Sequence, residues 1–405
     1  MKKIDKNIVI IGGGAAGFFA AITAAENNPG SSVTIVEKGI SVLGKVKISG
    51  GGRCNLTNAI TDPKELIKYY PRGGKALLGP FNTFGSKDTI QWFEHRCVKL
   101  KSEPDGRIFP VTDDSQTIVD CFLRSANKAN VNILTRTPVT EIHQTPKNKW
   151  IITADEKEYP ADAVIICSGN SSAIWKLIGE LGHKIETPVP SLFTFNINDK
   201  RIGGLPGVSV TDAEIKVDGS KLKSSGPLLI THWGMSGPAV LKLSSWGARE
   251  FFNCNYNFNL IINWLPEFNF DILKERLLQI KSQNLNKNIY SFSPLSLPIR
   301  LWESLLWNLQ LNKESRWNNL SSSDLNRISS ELTQGRFSVN GRSTFKEEFV
   351  TCGGVNIDEI NFKTMESKLH KGLFFAGEVI DIDAVTGGFN FQAAWTTAYI
   401  AAISC

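Results

Sequence analysis

The period of the hydrophobic positions changes several times along the chain. An unbroken apolar run, Asn7–Ile11, leads into glycines, then an alanine-rich stretch from Ala15 to Asn27, then a second apolar run, Val33–Val36. Short apolar runs fit buried strands, and an alanine-rich stretch of this length fits a helix packed closely on them. "NNPG" (27–30) is a helix stop. "ADAVIICSGNSS" (161–172) predicts a strand returning to the same sheet. "TRTPVTEIHQT" and "KWIITADEKEYP" predict short antiparallel strands before it. From about Pro190 the pattern alternates, in "LFTFNINDK", "GVSVTDAEIKVDG" and "GPLLITHWG", which predicts short strands and a small barrel. Over 270–333, "FDILKERLLQI" and "IRLWESLLWNLQL" have helical spacing, and "SSSDLNRISSELT" carries a cap signal. Leu373–Ala376 predicts one more strand, followed after Gly387-Gly388 by an apolar, alanine-rich helix. The tryptophans at 302, 307 and 317 fit a core or a partner face better than a cofactor box.

The chain has 405 residues, more than the roughly 250–300 that one core supports, so two domains are expected. A formal charge of +6 with dispersed basic residues does not point to nucleic acid. No run reaches the ~20 apolar residues of a membrane span. Seven cysteines, an odd count without a CxxC pair, suggest neither a disulfide framework nor a metal site. A reduced, cytoplasmic protein is expected.

The first glycines have a chemical reading. Gly12, Gly14 and Gly17 fit GxGxxG between a strand and a helix, with Ala15 and Ala16 opening the helix. The glycines permit the tight turn, the approach of a pyrophosphate and close helix–strand packing, while the helix N-terminus offers N–H groups to phosphate. Glu37 follows Gly17 by 20 residues, where a carboxylate accepts ribose hydroxyls and repels a 2′-phosphate. That selects FAD or NAD over NADP. A second half-site, Gly377 and Glu378 at a strand end and Gly387-Gly388 at a helix start, is needed by FAD and not by NAD. The fold class predicted is α/β: a discontinuous Rossmann-type FAD-binding domain, 1–190 and 346–405, with an inserted β-barrel-like plus helical domain, 191–345.

Six segments carry a closer resemblance: "IGGGAAG", "SGGGRCNLTN", "GRIFPVTDDSQTIVDCF", "THWGMSGPAVLKLS", "CGGVNIDEINFKTMESK" and "GLFFAGEVIDIDAVTGGFNFQAAW". With them the chain resembles the YhiN-type bacterial NAD(P)/FAD-dependent oxidoreductases, which include aminoacetone oxidase and bile-acid dehydro-reductase relatives. The resemblance places Lys38, Lys45, Ser49, Gly50, Gly51, Arg53, Cys54 and Asn55 against FAD. It adds a backbone contact at Val139, and Ser168, Gly169, Phe389 and Asn390. The residues agree in part: the glycines clear space for a ring or phosphates, Arg53 can offset negative charge, and Asn55 and Asn58 can satisfy ring or backbone groups. Ile48 and Leu56 argue against a flexible linker. Where the family has glycine and tyrosine this chain has Ala384 and Phe389, so a mechanism using that phenol does not carry over. Cys54 has no neighbouring cysteine, so a packed, non-redox thiol is expected.

The expectation is therefore a flavoenzyme moving a hydride between flavin and a small organic substrate. No second nucleotide fingerprint is visible, since "RIGGLPG" (201–207) has no strand before it and Pro206 within it. This favours an oxidase, or a reductase at which NAD(P)H docks transiently as electron donor. The inserted domain is expected to cover the flavin. A tRNA-modifying or non-catalytic FAD-binding protein is the alternative class. His232 has two readings: a satisfied structural histidine, or a catalytic group handling a substrate proton. No metal site is expected, and the sequence does not speak to oligomeric state.

Overall fold

The structure is a computed structural model and describes residues 5–343 and 350–405. The chain divides into two compact units, Met1–Val189 with Val350–Cys405, and Pro190–Phe349. The expected return to the first domain at residue 346 lies outside the described residues.

The first unit is built on a seven-stranded sheet. Its order is Ile360–Asn361, Glu366–Ser367, Leu373–Phe375, Ala163–Ile166, Asn7–Ile11, Ser32–Val36, Asn132–Leu134. The last five strands are parallel and the two short edge strands antiparallel. Strands covered on both faces need apolar residues throughout, and Ile8–Ile11 and Ala163–Ile166 are all buried. Ile8 pairs with Ala163 and Ile11 with Ile166. The two strands thus end side by side, and the loops beginning at Gly12 and Cys167 meet.

Helix Ala15–Asn27 packs on this sheet and on helix Phe389–Ser404. Gly17 makes the first contact possible, because a Cβ there would come within 1.9 Å of the Gly12 carbonyl oxygen. Alanines at 20, 21, 24, 398 and 401 are fully buried and let the helices approach. Around them sit the rings of Phe19, Trp92, Phe93, Phe122 and Trp395, with Phe19 4.5 Å from Trp92 and 5.5 Å from Trp395. At about 1.5–3 kcal/mol for each buried ring, this cluster outweighs any single polar contact in the unit. Strands Val139–Gln144, Trp150–Ala154 and Lys157–Ala161 form a separate antiparallel sheet.

The second unit begins with a six-stranded antiparallel sheet, in order Phe195–Asn196, Gly234–Ser236, Lys223–Ile230, Ser209–Val217, Asn257–Asn263, Gly335–Asn340. It closes on itself: Phe195 bridges Arg342, and the Asn196 N–H donates to Gly341 at 3.0 Å. Closure removes the free edges of a small sheet. Phe195, Ile215, Leu228, Ile230, Leu260, Ile262 and Phe337 fill the interior. Three helices follow the sequence pattern: Phe270–Gln283, Ile299–Asn308 and Ser322–Gln334. The last has a reciprocal cap, with Ser321 Oγ accepting from the Asp324 N–H and Asp324 from the Ser321 N–H. Trp302 and Trp317 are buried and stacked, 6.4 Å apart. No helix among the described residues is long and apolar enough to cross a membrane, and no group of His, Cys, Asp and Glu among them could hold a metal ion.

Candidate functional site

The glycine loop after the first strand is shaped by close approach on one side and open space on the other. A Cβ at Gly12 would lie 2.5 Å from the Cys167 carbonyl oxygen, whereas at Gly14 nothing comes within 4 Å. Helix Ala15–Asn27 starts there without a side-chain cap, so its first N–H groups remain available. Ala15 is half-buried and Ala16 buried. Glu37 is held on both oxygens: Gly13 N–H donates to it at 2.7 Å and Gly39 N–H at 2.6 Å. Each oxygen keeps a second lone pair. Lys38 is exposed. Thr137 and Arg136 donate backbone N–H groups to the carbonyls of Glu37 and Gly39, both at 2.9 Å, which brings the segment entering Val139 alongside. Across the loop, Ser168 Oγ is buried with no hydrogen-bond partner among the described residues, followed by Gly169 with φ +58°.

The segment read as a loop, Gly44–Asn58, opens as a short helix. Its dihedrals break at Ser49 (ψ 149°), and Gly50, Gly51 and Gly52 are left-handed (φ +59°, +67° and +82°). Gly51 and Gly52 face open space, and Ser49 Oγ donates to the Val46 carbonyl. Two sequence expectations change here. Arg53 is not a free cation: it pairs with Glu103 at 2.7 Å and Asp113 at 3.3 Å, and its guanidinium lies 4.0 Å from the centre of the Phe109 ring. Hydrogen bonding to Glu103 and then Asp113 holds its pKa above the ordinary value. The Cys54 side chain has no exposed surface with which to touch a ligand, and burial pushes its thiol up to about 12.

The C-terminal loop meets this segment. With its amide oxygen turned to the Gly388 N–H, Asn55 accepts from it at 2.9 Å and donates to the carbonyls of Thr57 and Ile108. Asn58 donates to the Gly387 carbonyl at 3.2 Å, and Thr57 Oγ to Gln392 at 2.6 Å. Gly388 must be glycine, since a Cβ would lie 2.4 Å from the Thr57 carbonyl oxygen. It opens helix Phe389–Ser404, again with no side-chain cap. Phe389 is buried and stacked on Tyr69, centroids 4.3 Å apart. Asn390 exchanges two hydrogen bonds with the Ala384 backbone. Gly377 is left-handed (φ +75°) and packed on Ala16. Glu378 accepts from Lys45 at 2.6 Å and from the Thr351 N–H at 3.0 Å, and Lys45 also reaches Asn170.

Residues from both ends of the chain are thus brought together by side-chain and backbone hydrogen bonds. Sequence reasoning missed the pair beneath them: Arg72 grips the fully buried Asp383 with two hydrogen bonds. Burial opposes the Arg72 charge, but pairing outweighs it and the pKa is raised. The signal was the acid in "DIDAVTGG", yet its partner lies 311 residues away. His232 lies in the turn between strands Lys223–Ile230 and Gly234–Ser236 of the second unit. It is exposed, which removes the reading as a packed structural histidine. The histidine that fills that role is His183, buried between Glu359 at 2.8 Å and Ser367 at 2.9 Å.

A family model described as the HI0933-like protein Rossmann domain matches residues 6–404. The chain belongs to this family. Its members are FAD-dependent oxidoreductases of the type the sequence segments resembled. A ribosomal RNA dihydrouridine synthase of Haemophilus influenzae is 29% identical over 390 residues, covering 93% of this chain and 92% of that one. A 3-dehydro-bile acid delta(4,6)-reductase of Clostridium scindens is 27% identical over 409 residues, 97% of each. Among solved structures, the 3-ketosteroid-delta4-(5alpha)-dehydrogenase of Rhodococcus jostii has a TM-score of 0.53 at 13% identity, covering 99% of this chain and 96% of that one. It shares the fold.

Proposed function

We propose that this chain is a FAD-dependent reductase that saturates a ring carbon–carbon double bond conjugated with a carbonyl, using NAD(P)H as donor. The observation that carries the reading is the full-length similarity to two relatives whose named reactions share this chemistry. Dihydrouridine is uridine with its ring double bond reduced, and a delta(4,6)-reductase of a 3-dehydro bile acid acts on double bonds conjugated with a ketone.

The residues present fit FAD. The open space at Gly14, Gly51 and Gly52, the unpartnered Ser168 hydroxyl and two uncapped helix starts suit a long ligand carrying phosphates and a ring. When bound, FAD supplies hydride transfer. In this reading the Ala15 and Ala16 N–H groups hold phosphate, Glu37 uses its spare lone pairs on ribose, and Glu378 with Lys45 binds the polyol side. Gly387, Gly388 and the start of the last helix line the ring. In this reading His232, exposed on its turn, handles the substrate proton. Residues Arg201–Gly207 form turns, and in this reading the nicotinamide docks transiently at the flavin. The reaction belongs in the cytoplasm, where NAD(P)H is at hand. A second reading, favoured by the 29% identical relative, places the reduced ring in an RNA uridine.

The test is anaerobic NAD(P)H oxidation with a 3-keto-4-ene steroid or an unmodified rRNA transcript, followed by mass spectrometry for a gain of two hydrogens. Peroxide formation in air, with neither acceptor reduced anaerobically, would make the enzyme an oxidase and end the reading.

A further inference from the structure

Of the three tryptophans in the helical part, two are core and Trp307 is 62% exposed. It stands in an open groove of about 640 Å³ within the second unit. Helix Ile299–Asn308 presents Arg300, Glu303 and Trp307 to it, at helical spacing along one face. Asn288, Tyr290 and Lys313 come from the loops on either side. These loops are tied together: Tyr290 Oη donates to the Leu311 carbonyl at 2.8 Å and Asn288 Nδ2 to the Lys313 carbonyl at 2.6 Å. Arg300 is held by a 2.8 Å hydrogen bond to the Gly204 carbonyl. The Lys313 ammonium lies 5.2 Å from the centre of the Trp307 ring.

The occupant follows from this mixture. An apolar partner would leave Arg300, Glu303 and Lys313 without water or counter-charge, at a cost. A bare phosphate or other polyanion would gain nothing from an exposed indole and would meet Glu303. An unpaired nucleotide uses every group: its base offers a face for the indole, its phosphates offer charge to Arg300 and Lys313, and its base edge offers N–H groups to Glu303. We propose that this groove binds an unpaired nucleotide of a single-stranded nucleic acid, with the base stacked on Trp307. The inference stands on the groove alone and does not depend on the reductase reading.

The experiment is fluorescence anisotropy of the full chain with a labelled single-stranded RNA of about 12 nucleotides, within the usual site size, at several salt concentrations. Trp307→Ala should weaken binding roughly 5- to 150-fold, the usual worth of one stacked base, and Trp307→Phe should restore most of it. Arg300→Gln with Lys313→Gln should lower the salt slope by about 1.4, at roughly 0.7 for each phosphate contact. All are exposed side chains, and circular dichroism with flavin content confirms the fold. An abasic strand of the same length should bind the wild type as weakly as the full RNA binds Trp307→Ala. Absence of RNA binding, equal affinity for the abasic strand, or wild-type affinity of Trp307→Ala would each overturn the proposal. These readouts need no turnover, so failure of the reductase reading leaves them intact.

Discussion

Glu37 offers a test of what the fingerprint acid does before any ligand arrives. Both its oxygens accept backbone N–H groups, from Gly13 at 2.7 Å and Gly39 at 2.6 Å. A buried hydrogen bond to a charged group contributes about 1.5–3 kcal/mol net, so the two at Glu37 would contribute about 3–6 kcal/mol at full burial. The site is only half-buried, and solvent screening lowers this by roughly half. The expected net loss for Glu37→Ala in the ligand-free protein is about 1.5–3 kcal/mol, felt locally at the glycine loop. Hydrogen exchange reads this directly: at about 1.4 kcal/mol for each factor of ten, the Gly13 and Gly39 amides should exchange about 10- to 150-fold faster. Glu37→Gln keeps one acceptor and should lose about half the free energy. In a parallel titration both variants should bind FAD more weakly, because the ribose hydroxyls lose a charged acceptor fixed in place. Wild-type exchange in ligand-free Glu37→Ala, with FAD affinity alone reduced, would refute the reasoning and leave the acid a purely ligand-facing role.

Two further outcomes are expected. The unfolded chain ionises Cys54 near 9 while burial holds the folded thiol neutral up to about 12, so the stability it supports is present below pH 9 and lost as pH rises toward 12. Urea denaturation near neutral pH and near pH 10 should show a smaller drop for Cys54→Ala than for wild type, and iodoacetamide should label exposed Cys97 and Cys254 while sparing Cys54. His232→Gln should leave the melting temperature unchanged, since the side chain is exposed. It should slow substrate reduction about 10²–10⁴-fold, the usual worth of a positioned acid or base; a variant that melts early but turns over normally would end the catalytic role.

What the sequence made legible follows the range of the interactions. The strands and helices around Gly12–Gly17 and Phe389–Ser404 were readable because burial imposes a period within a few residues. The pairings that position the loops were not. Arg53 finds Glu103 and Asp113 at separations of 50 and 60 residues, Asn58 finds Gly387 at 329, and Arg72 finds Asp383 at 311. No local pattern encodes which acid a given arginine meets, and the break at Ser49 lies in dihedrals that three glycines permit without dictating. The tryptophans show where the boundary falls. Trp302 and Trp307 are five positions apart, which at 3.6 residues per turn places them about 140° apart on the helix. With Leu301, Leu305 and Leu306 buried beside Trp302, the same period that identifies the helix sends Trp307 to the surface. Its exposure was therefore available from spacing alone. Its company was not, because Lys313 and Tyr290 reach it only through loops that the fold ties together.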